Sequence, residues 1–67
     1  MNTGLKIKIA RIKANKKQYE VANEVGITPQ YLRKIESGLS VNPSKEVMEK
    51  ISNALNLKVS ELFFNED

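Results

Sequence analysis

The side chains best suited to chemistry lie between residues 30 and 37 of the 67-residue chain. One face of the helix predicted there carries an amide, a phenol, a hydroxyl and two cations, and no carboxylate. The residues of this face are Gln30, Tyr31, Arg33, Lys34 and Ser37. Such a face offers hydrogen bonds and positive charge to a polyanion, so its expected chemistry is binding.

Catalysis is poorly supported by the composition. The chain has no Cys and no His, which removes the commonest general base, the best nucleophile and the usual zinc ligands. Asp67, the only Asp, is in the C-terminal tail, and the scattered Glu residues form no convergent acid-base pair. We therefore predict that the protein is not an enzyme and needs no metal and no cofactor.

Charge is distributed unevenly along the chain. Residues 1–34 hold eight of the 11 cations and two of the eight carboxylates, whereas residues 35–67 are net acidic. One interpretation is a basic face that binds nucleic acid, and the other is that the lysines keep a small helical protein in solution. A set of four N-terminal lysines is expected to be mostly solvated: Lys6, Lys8, Lys13 and Lys16.

The length predicts a single domain over residues 1–67, with its core at about 5–64. No apolar run approaches the ~18 residues of a membrane helix, and the N-terminus lacks the apolar stretch of a signal peptide. We expect a cytoplasmic protein without membrane contact.

Three Gly and two Pro residues separate helical patterns, and no segment alternates like a strand. The fold class is therefore all-α, with five short helices. Residues 7, 10, 11 and 14 share one face of the first helix, while Leu5, Ile9 and Ile12 form a second apolar edge. The predicted helices cover residues 5–14, 17 or 18–25, 29–37, a segment capped by Ser44, and 59–64.

The best-marked boundary joins the second and third helices. Gly26 ends one helix, Thr28 caps the next, Pro29 occupies its first position, and Gly38 ends it. A short helix, a glycine turn and a capped second helix predict a helix-turn-helix.

An ordered set of residues spans nearly the whole chain around this motif. It comprises Arg11, Gln18 to Ala22, Val25 to Leu32, Ile35 to Gly38, Pro43-Ser44, Ala54 to Leu57 and Leu62 to Phe64. This set resembles the Xre/Cro/cI family of helix-turn-helix DNA-binding proteins. The chain departs from the family pattern at residue 16, where a lysine replaces the usual apolar residue.

The resemblance implies a lambda-repressor-like fold and a transcriptional regulator of double-stranded DNA. It further implies a repressor that binds a two-fold symmetric operator as a homodimer, with the third helix in the major groove. No small-molecule ligand is expected.

The resemblance also assigns base contacts to the third helix. Gln30 is the best candidate, because its amide can pair with adenine through two hydrogen bonds. Arg33 and Lys34 can reach guanine or a phosphate, and Tyr31 can pack on the DNA or bond a phosphate. Two helix-starting residues, Thr28 and Pro29, have structural reasons to be present and can also touch a thymine methyl.

The resemblance implies a phosphate contact for Gln18. Charge, a hydroxyl or position beside the third helix makes four further residues candidates for phosphate contacts: Lys17, Ser37, Asn42 and Lys45. Gln18 opens the second helix, whose N-terminus favours an anion. In the family a glutamine here also braces the base-reading side chain of the third helix.

Two further roles are implied by the resemblance. Arg11 and Glu36 are expected to form a partly buried ion pair between the first and third helices. The expected dimer surface is apolar and lies near the C-terminal end and the loop after the third helix: Phe63, Phe64, Leu39 and Val41.

Two other binding functions fit the same fold. A protein-interaction module that does not read DNA would carry an acidic or apolar third helix. An antitoxin would bind DNA and also need a toxin-binding surface.

Overall fold

The computed structural model describes residues 3–39 and 42–63, with the side chain of Phe63 excepted. The described residues form helices and turns without a strand, which confirms the all-α prediction. The helices are α1 (Thr3–Lys13), α2 (Gln18–Val25), α3 (Pro29–Ser37), α4 (Lys45–Ala54) and α5 (Val59–Phe63). Within this part of the chain, no helix is long and apolar enough to cross a membrane.

The helix ends follow local sequence chemistry. Thr28 and Ser44 cap α3 and α4, each accepting a hydrogen bond from the backbone N–H three residues later. Gly26 and Gly38 end α2 and α3 with φ of 87° and 77°, a left-handed conformation that glycine adopts without steric cost. Asn15 adopts the same region, with φ 61°, where the sequence predicted the first helix to stop.

All five helices contribute to one core around α2, α3 and α4. The buried apolar residues are Ile7, Val21, Ala22, Val25, Leu32, Ile35, Met48, Ile51, Leu55 and Leu62. Ser52 is also fully buried, and its hydroxyl donates to the Met48 carbonyl at 2.8 Å. The core therefore contains a polar side chain without leaving a hydrogen-bonding group unsatisfied.

The first helix begins two residues earlier than predicted, at Thr3. Gly4 lies so close to α3 that a Cβ there would overlap the Ile35 carbonyl oxygen. Thr3 donates its hydroxyl to the Leu62 carbonyl at 3.0 Å, and Lys6 donates to the Glu61 carbonyl at 3.0 Å. These contacts with α3 and α5 stabilise a first turn that helix propensity alone does not favour.

Most of the second apolar edge of α1 faces outward, while Ile9 is half-buried. Leu5 is 40% exposed and Ile12 is 57% exposed, whereas Gly4 and Ile7 are buried. A helix with apolar residues on two sides can bury only one of them against a single core, and here the side with the small glycine is buried.

Candidate nucleic-acid interface

The α2-turn-α3 unit is held by short-range backbone contacts. The N–H groups of Gly26 and Ile27 both donate to the Ala22 carbonyl, at 2.8 and 3.0 Å. Ile27 packs against the core, and Thr28 then starts α3. The turn therefore fixes the direction in which α3 leaves α2.

The two sides of α3 differ sharply. Leu32, Ile35 and Glu36 are buried against the other helices. The opposite side is exposed and carries cations, amide and hydroxyl groups: Gln30, Arg33, Lys34 and Ser37, preceded by exposed Thr28 and Pro29. The one carboxylate of α3 thus points inward, and the outer face keeps its positive charge.

Two side chains of this region have part of their hydrogen-bonding capacity in use, and a third is half-buried. Thr28 Oγ1 accepts from the Tyr31 N–H at 3.0 Å, which leaves its hydroxyl hydrogen available. Ser37 donates its hydroxyl to the Lys34 carbonyl at 3.0 Å, so it must rotate to donate to a phosphate. Tyr31 is half-buried and packs against the core, so only part of its ring can reach DNA.

A buried polar network ties α3 to α1 and α2. Glu36 accepts from Arg11 Nε at 2.7 Å and Nη2 at 3.2 Å, and from Gln18 Nε2 at 3.0 Å. The side chains of Glu36 and Arg11 are 3% and 11% exposed. The ion pair implied by the resemblance is therefore present, with Gln18 as a third member.

The position of Gln18 differs from the bracing role that the resemblance implies. In the described part of the chain its amide nitrogen bonds to Glu36, and it forms no hydrogen bond with Gln30. Glu36 presents a carboxylate within reach, and a charged acceptor binds an amide N–H more strongly than a neutral amide does. The amide oxygen of Gln18 remains outside this contact.

An open hollow of about 440 Å³ lies at the N-terminus of α2. Its lining is rich in cations and consists of Arg11, Lys16, Lys17, Gln18, Tyr19, Pro29 and Arg33. The first turn of a helix has N–H groups without intrahelical partners and a positive dipole end. Among the described residues, neither Lys17 nor Arg33 has a carboxylate within ion-pair distance. The hollow is thus suited to an anion such as a phosphate.

The remaining predicted contacts lie elsewhere. Asn42 and Lys45 are exposed, just before and at the start of α4. Leu39 is exposed beside a hollow of about 240 Å³ that Ile35, Pro43 and Met48 also line. Val41, Phe64 and the side chain of Phe63 are outside the described residues.

Sequence reasoning missed two residues of this region. Tyr19 is an exposed aromatic in the lining of the α2 hollow. Lys16 was expected in a solvated face, but its ammonium group bonds to Glu24 and to the Ala54 carbonyl. The departure from the family pattern at residue 16 was the signal that could have drawn attention to it.

The fold and the carboxylate-free outer face of α3 define a helix-turn-helix domain of the DNA-binding type. A helix-turn-helix family model, HTH_3, matches residues 7–62. The chain therefore belongs to the Xre/Cro-type helix-turn-helix family, whose members are DNA-binding regulators and not enzymes.

Named relatives agree with this assignment. The chain is 37% identical over 59 residues to SlrR of Bacillus subtilis (strain 168), an HTH-type transcriptional regulator. That match covers 84% of this chain and 39% of SlrR, so the chain spans about two fifths of that relative's length.

Two solved structures of SinR have the same fold. The N-terminal DNA-binding domain of SinR from Bacillus subtilis superposes with a TM-score of 0.86 at 33% identity, covering 96% of this chain and 93% of that one. The structure of SinR in complex with DNA, described as the master regulator for biofilm formation, superposes with a TM-score of 0.83 at 35% identity. That match covers 90% of this chain and 95% of the SinR chain.

Proposed function

We propose that this chain is a sequence-specific regulator of double-stranded DNA that represses transcription. It acts as a single domain over residues 1–67 and inserts α3 into the major groove. The observation that carries the proposal is the outer face of α3, which is exposed, basic and without a carboxylate while Glu36 is buried. The complex of the similar protein SinR with DNA supports it. Because the target is genomic DNA, we place the activity in the cytoplasm.

Direct readout is assigned to the exposed N-terminal half of α3. Gln30 pairs with adenine through its amide, and Arg33 and Lys34 contact guanine or the adjacent phosphates. Tyr31 offers its exposed edge, and Thr28 and Pro29 add contacts at the start of the helix. Each good pair with a base contributes about 1–3 kcal/mol of discrimination.

The backbone of the DNA is bound at both sides of α3. One phosphate occupies the hollow at the start of α2, where Lys17, Gln18 and the first-turn amides meet it. Ser37, Asn42 and Lys45 supply further phosphate contacts. These contacts fix the register of α3 in the groove without reading sequence.

The operator is two-fold symmetric and is bound by a homodimer. One domain covers a half-site, and two half-sites lie about one helical turn apart. The dimer surface comprises Leu39, Val41, Phe63 and Phe64. Its support is the 59% exposure of Leu39 beside an apolar hollow.

The test is selection of binding sites from random duplexes at about 150 mM salt, where non-specific attraction is damped. Enrichment of a symmetric motif is expected, and Gln30→Ala should relax specificity at one or two positions in each half-site. Asn53→Ala, an exposed amide on α4, is the matched control and should select the wild-type motif. If the selection yields no motif and retention depends only on salt, the chain is an interaction module and not a sequence reader.

The proposed dimer is tested by measuring the oligomeric state of two variants in sedimentation experiments. The two substituted residues have nearly equal exposure. Leu39→Glu should give monomers and weaken binding to the full operator more than to a half-site. Ile12→Glu, at 57% exposure on α1, should leave both properties unchanged. Dimers that persist in Leu39→Glu would place the interface elsewhere.

A further inference from the structure

We propose that Lys16 is a positioning residue for DNA binding. Its side chain connects the start of α2 to the end of α4. The inference rests on the proposed function, because it concerns the phosphate contact at the start of α2. Lys16 directly precedes Lys17 and Gln18, the residues assigned to that contact. It acts through their placement and does not touch DNA.

The ammonium group of Lys16 is bound to two acceptor groups within the protein. Nζ lies 3.1 and 3.2 Å from the two carboxylate oxygens of Glu24 and 3.0 Å from the Ala54 carbonyl oxygen. One ammonium hydrogen is shared by the two oxygens of the Glu24 carboxylate, and a second is donated to the Ala54 carbonyl. Glu24 also offsets the positive charge of Lys16, whereas the Lys17 side chain has no carboxylate partner among the described residues.

The acceptor at Ala54 links separate parts of the fold. Ala54 is the last residue of α4, where carbonyl groups have no intrahelical partner. A cation is favoured there by the negative end of the helix dipole. The Lys16 side chain, 31% exposed, therefore lies across the gap between the α1-α2 turn and α4.

The backbone of Lys16 is hydrogen-bonded to Arg11. Its carbonyl accepts from Arg11 Nη1 at 2.9 Å, and its N–H donates to the Arg11 carbonyl at 3.1 Å. Arg11 in turn pairs with Glu36 on α3. A continuous chain of hydrogen bonds thus runs from α4 through Lys16 and Arg11 to α3, around the N-terminus of α2. The Lys16 contact, together with the direct Gln18–Glu36 hydrogen bond, sets where this N-terminus lies relative to α3.

The test compares neighbouring lysines by binding of the full chain to its selected operator over a range of salt concentrations. Measurements are made at a temperature where circular dichroism shows every variant to be folded. Lys16→Met keeps an unbranched side chain of similar length and should weaken binding about 2- to 30-fold. The slope of log affinity against log salt should not change, because no phosphate contact is lost.

Lys17→Met is the matched control. Lys17 has an exposed side chain without a carboxylate partner among the described residues, so it is expected to contact a phosphate directly. Its loss should lower the magnitude of the salt slope by about 0.9 for each subunit, which is about 1.8 for the homodimer on its operator. The two lysines therefore differ in the slope even if they lose similar affinity.

Glu24→Gln gives a second variant that leaves Lys16 in place. The Glu24 side chain is 47% exposed, so the change is compatible with the fold. Positioning predicts weaker binding, because Lys16 loses its charged acceptor. Direct phosphate contact by Lys16 predicts stronger binding, because its ammonium group is released.

Besides stronger binding in Glu24→Gln, three outcomes overturn the inference. A salt slope whose magnitude falls by about 0.9 for each subunit in Lys16→Met would make Lys16 a phosphate contact. Unchanged affinity in both Lys16→Met and Glu24→Gln, with Lys17→Met weakened, would leave Lys16 a role in stability alone and the proposed function intact. Absence of operator binding by the wild-type chain would refute the proposed function together with the inference.

Discussion

Glu36→Gln tests the central polar network of the domain. The substitution keeps the size of the side chain and one carbonyl oxygen but removes the charge that faces Arg11. Glu36 is 3% exposed and accepts three hydrogen bonds, two of them from the Arg11 guanidinium group. The variant therefore leaves a cation in the interior without its counter-charge.

The magnitude follows from this geometry. Removing one partner of a buried ion pair costs about 3–5 kcal/mol. The lower end applies here, because Arg11 is 11% exposed and keeps its hydrogen bond to the Lys16 carbonyl. A loss of about 3 kcal/mol compares with a total stability of roughly 3–10 kcal/mol for a chain of this length. The melting temperature should fall by about 12–24 °C.

The assay is urea unfolding followed by far-ultraviolet circular dichroism. Glu46→Gln is the matched control, because Glu46 forms an exposed pair with Lys50 at 3.5 Å on α4. That control should lose less than about 0.5 kcal/mol. A loss in Glu36→Gln no larger than in Glu46→Gln would refute the reasoning, since the burial of the pair would then have no energetic consequence.

Further predictions concern backbone approach and capping. Gly4→Ala should lower the free energy of unfolding by about 2–3 kcal/mol, because the added Cβ would overlap the Ile35 carbonyl oxygen. In Gly26→Ala the added Cβ meets no atom within 4 Å, so the loss should be about 1 kcal/mol and come from the positive φ alone. Equal losses of unfolding free energy in Gly4→Ala and Gly26→Ala, measured by urea unfolding, would contradict this difference. Thr28→Ala should lose about 1 kcal/mol and speed hydrogen exchange at the Tyr31 amide, and Thr28→Ser should retain both properties. Unchanged exchange in Thr28→Ala would mean that the cap does not protect this amide.

The helix-turn-helix was predictable from sequence because its boundaries are local. Gly26, Thr28, Pro29 and Gly38 each act within about one helical turn, so α3 begins and ends where predicted. The start of α1 was wrong for the opposite reason. Gly4 does not favour a helix by itself. The helical first turn is explained by contacts distant in sequence, those of Gly4 with α3 and those of Thr3 and Lys6 with α5.

The candidate interface was likewise predictable where it depends on local sequence and not where it depends on tertiary packing. The outer face of α3 follows from helical periodicity and a cap, both of which are visible in the sequence. The partners of Lys16 and Gln18 could not be predicted from the sequence, because Ala54 and Glu36 are brought near only by the packing of the helices. Periodicity also could not decide which apolar edge of α1 is buried, since both edges satisfy it.

The unequal fastening of the helices has a consequence for local unfolding. Glu36 joins α1, α2 and α3 through buried hydrogen bonds, whereas α5 is joined to α1 by the Thr3–Leu62 and Lys6–Glu61 contacts and one buried leucine. Amide hydrogens of α5 should therefore exchange with solvent well before those of α3, as a separate opening unit. A force applied at the C-terminal end would detach α5 first and leave the helix assigned to the major groove in place.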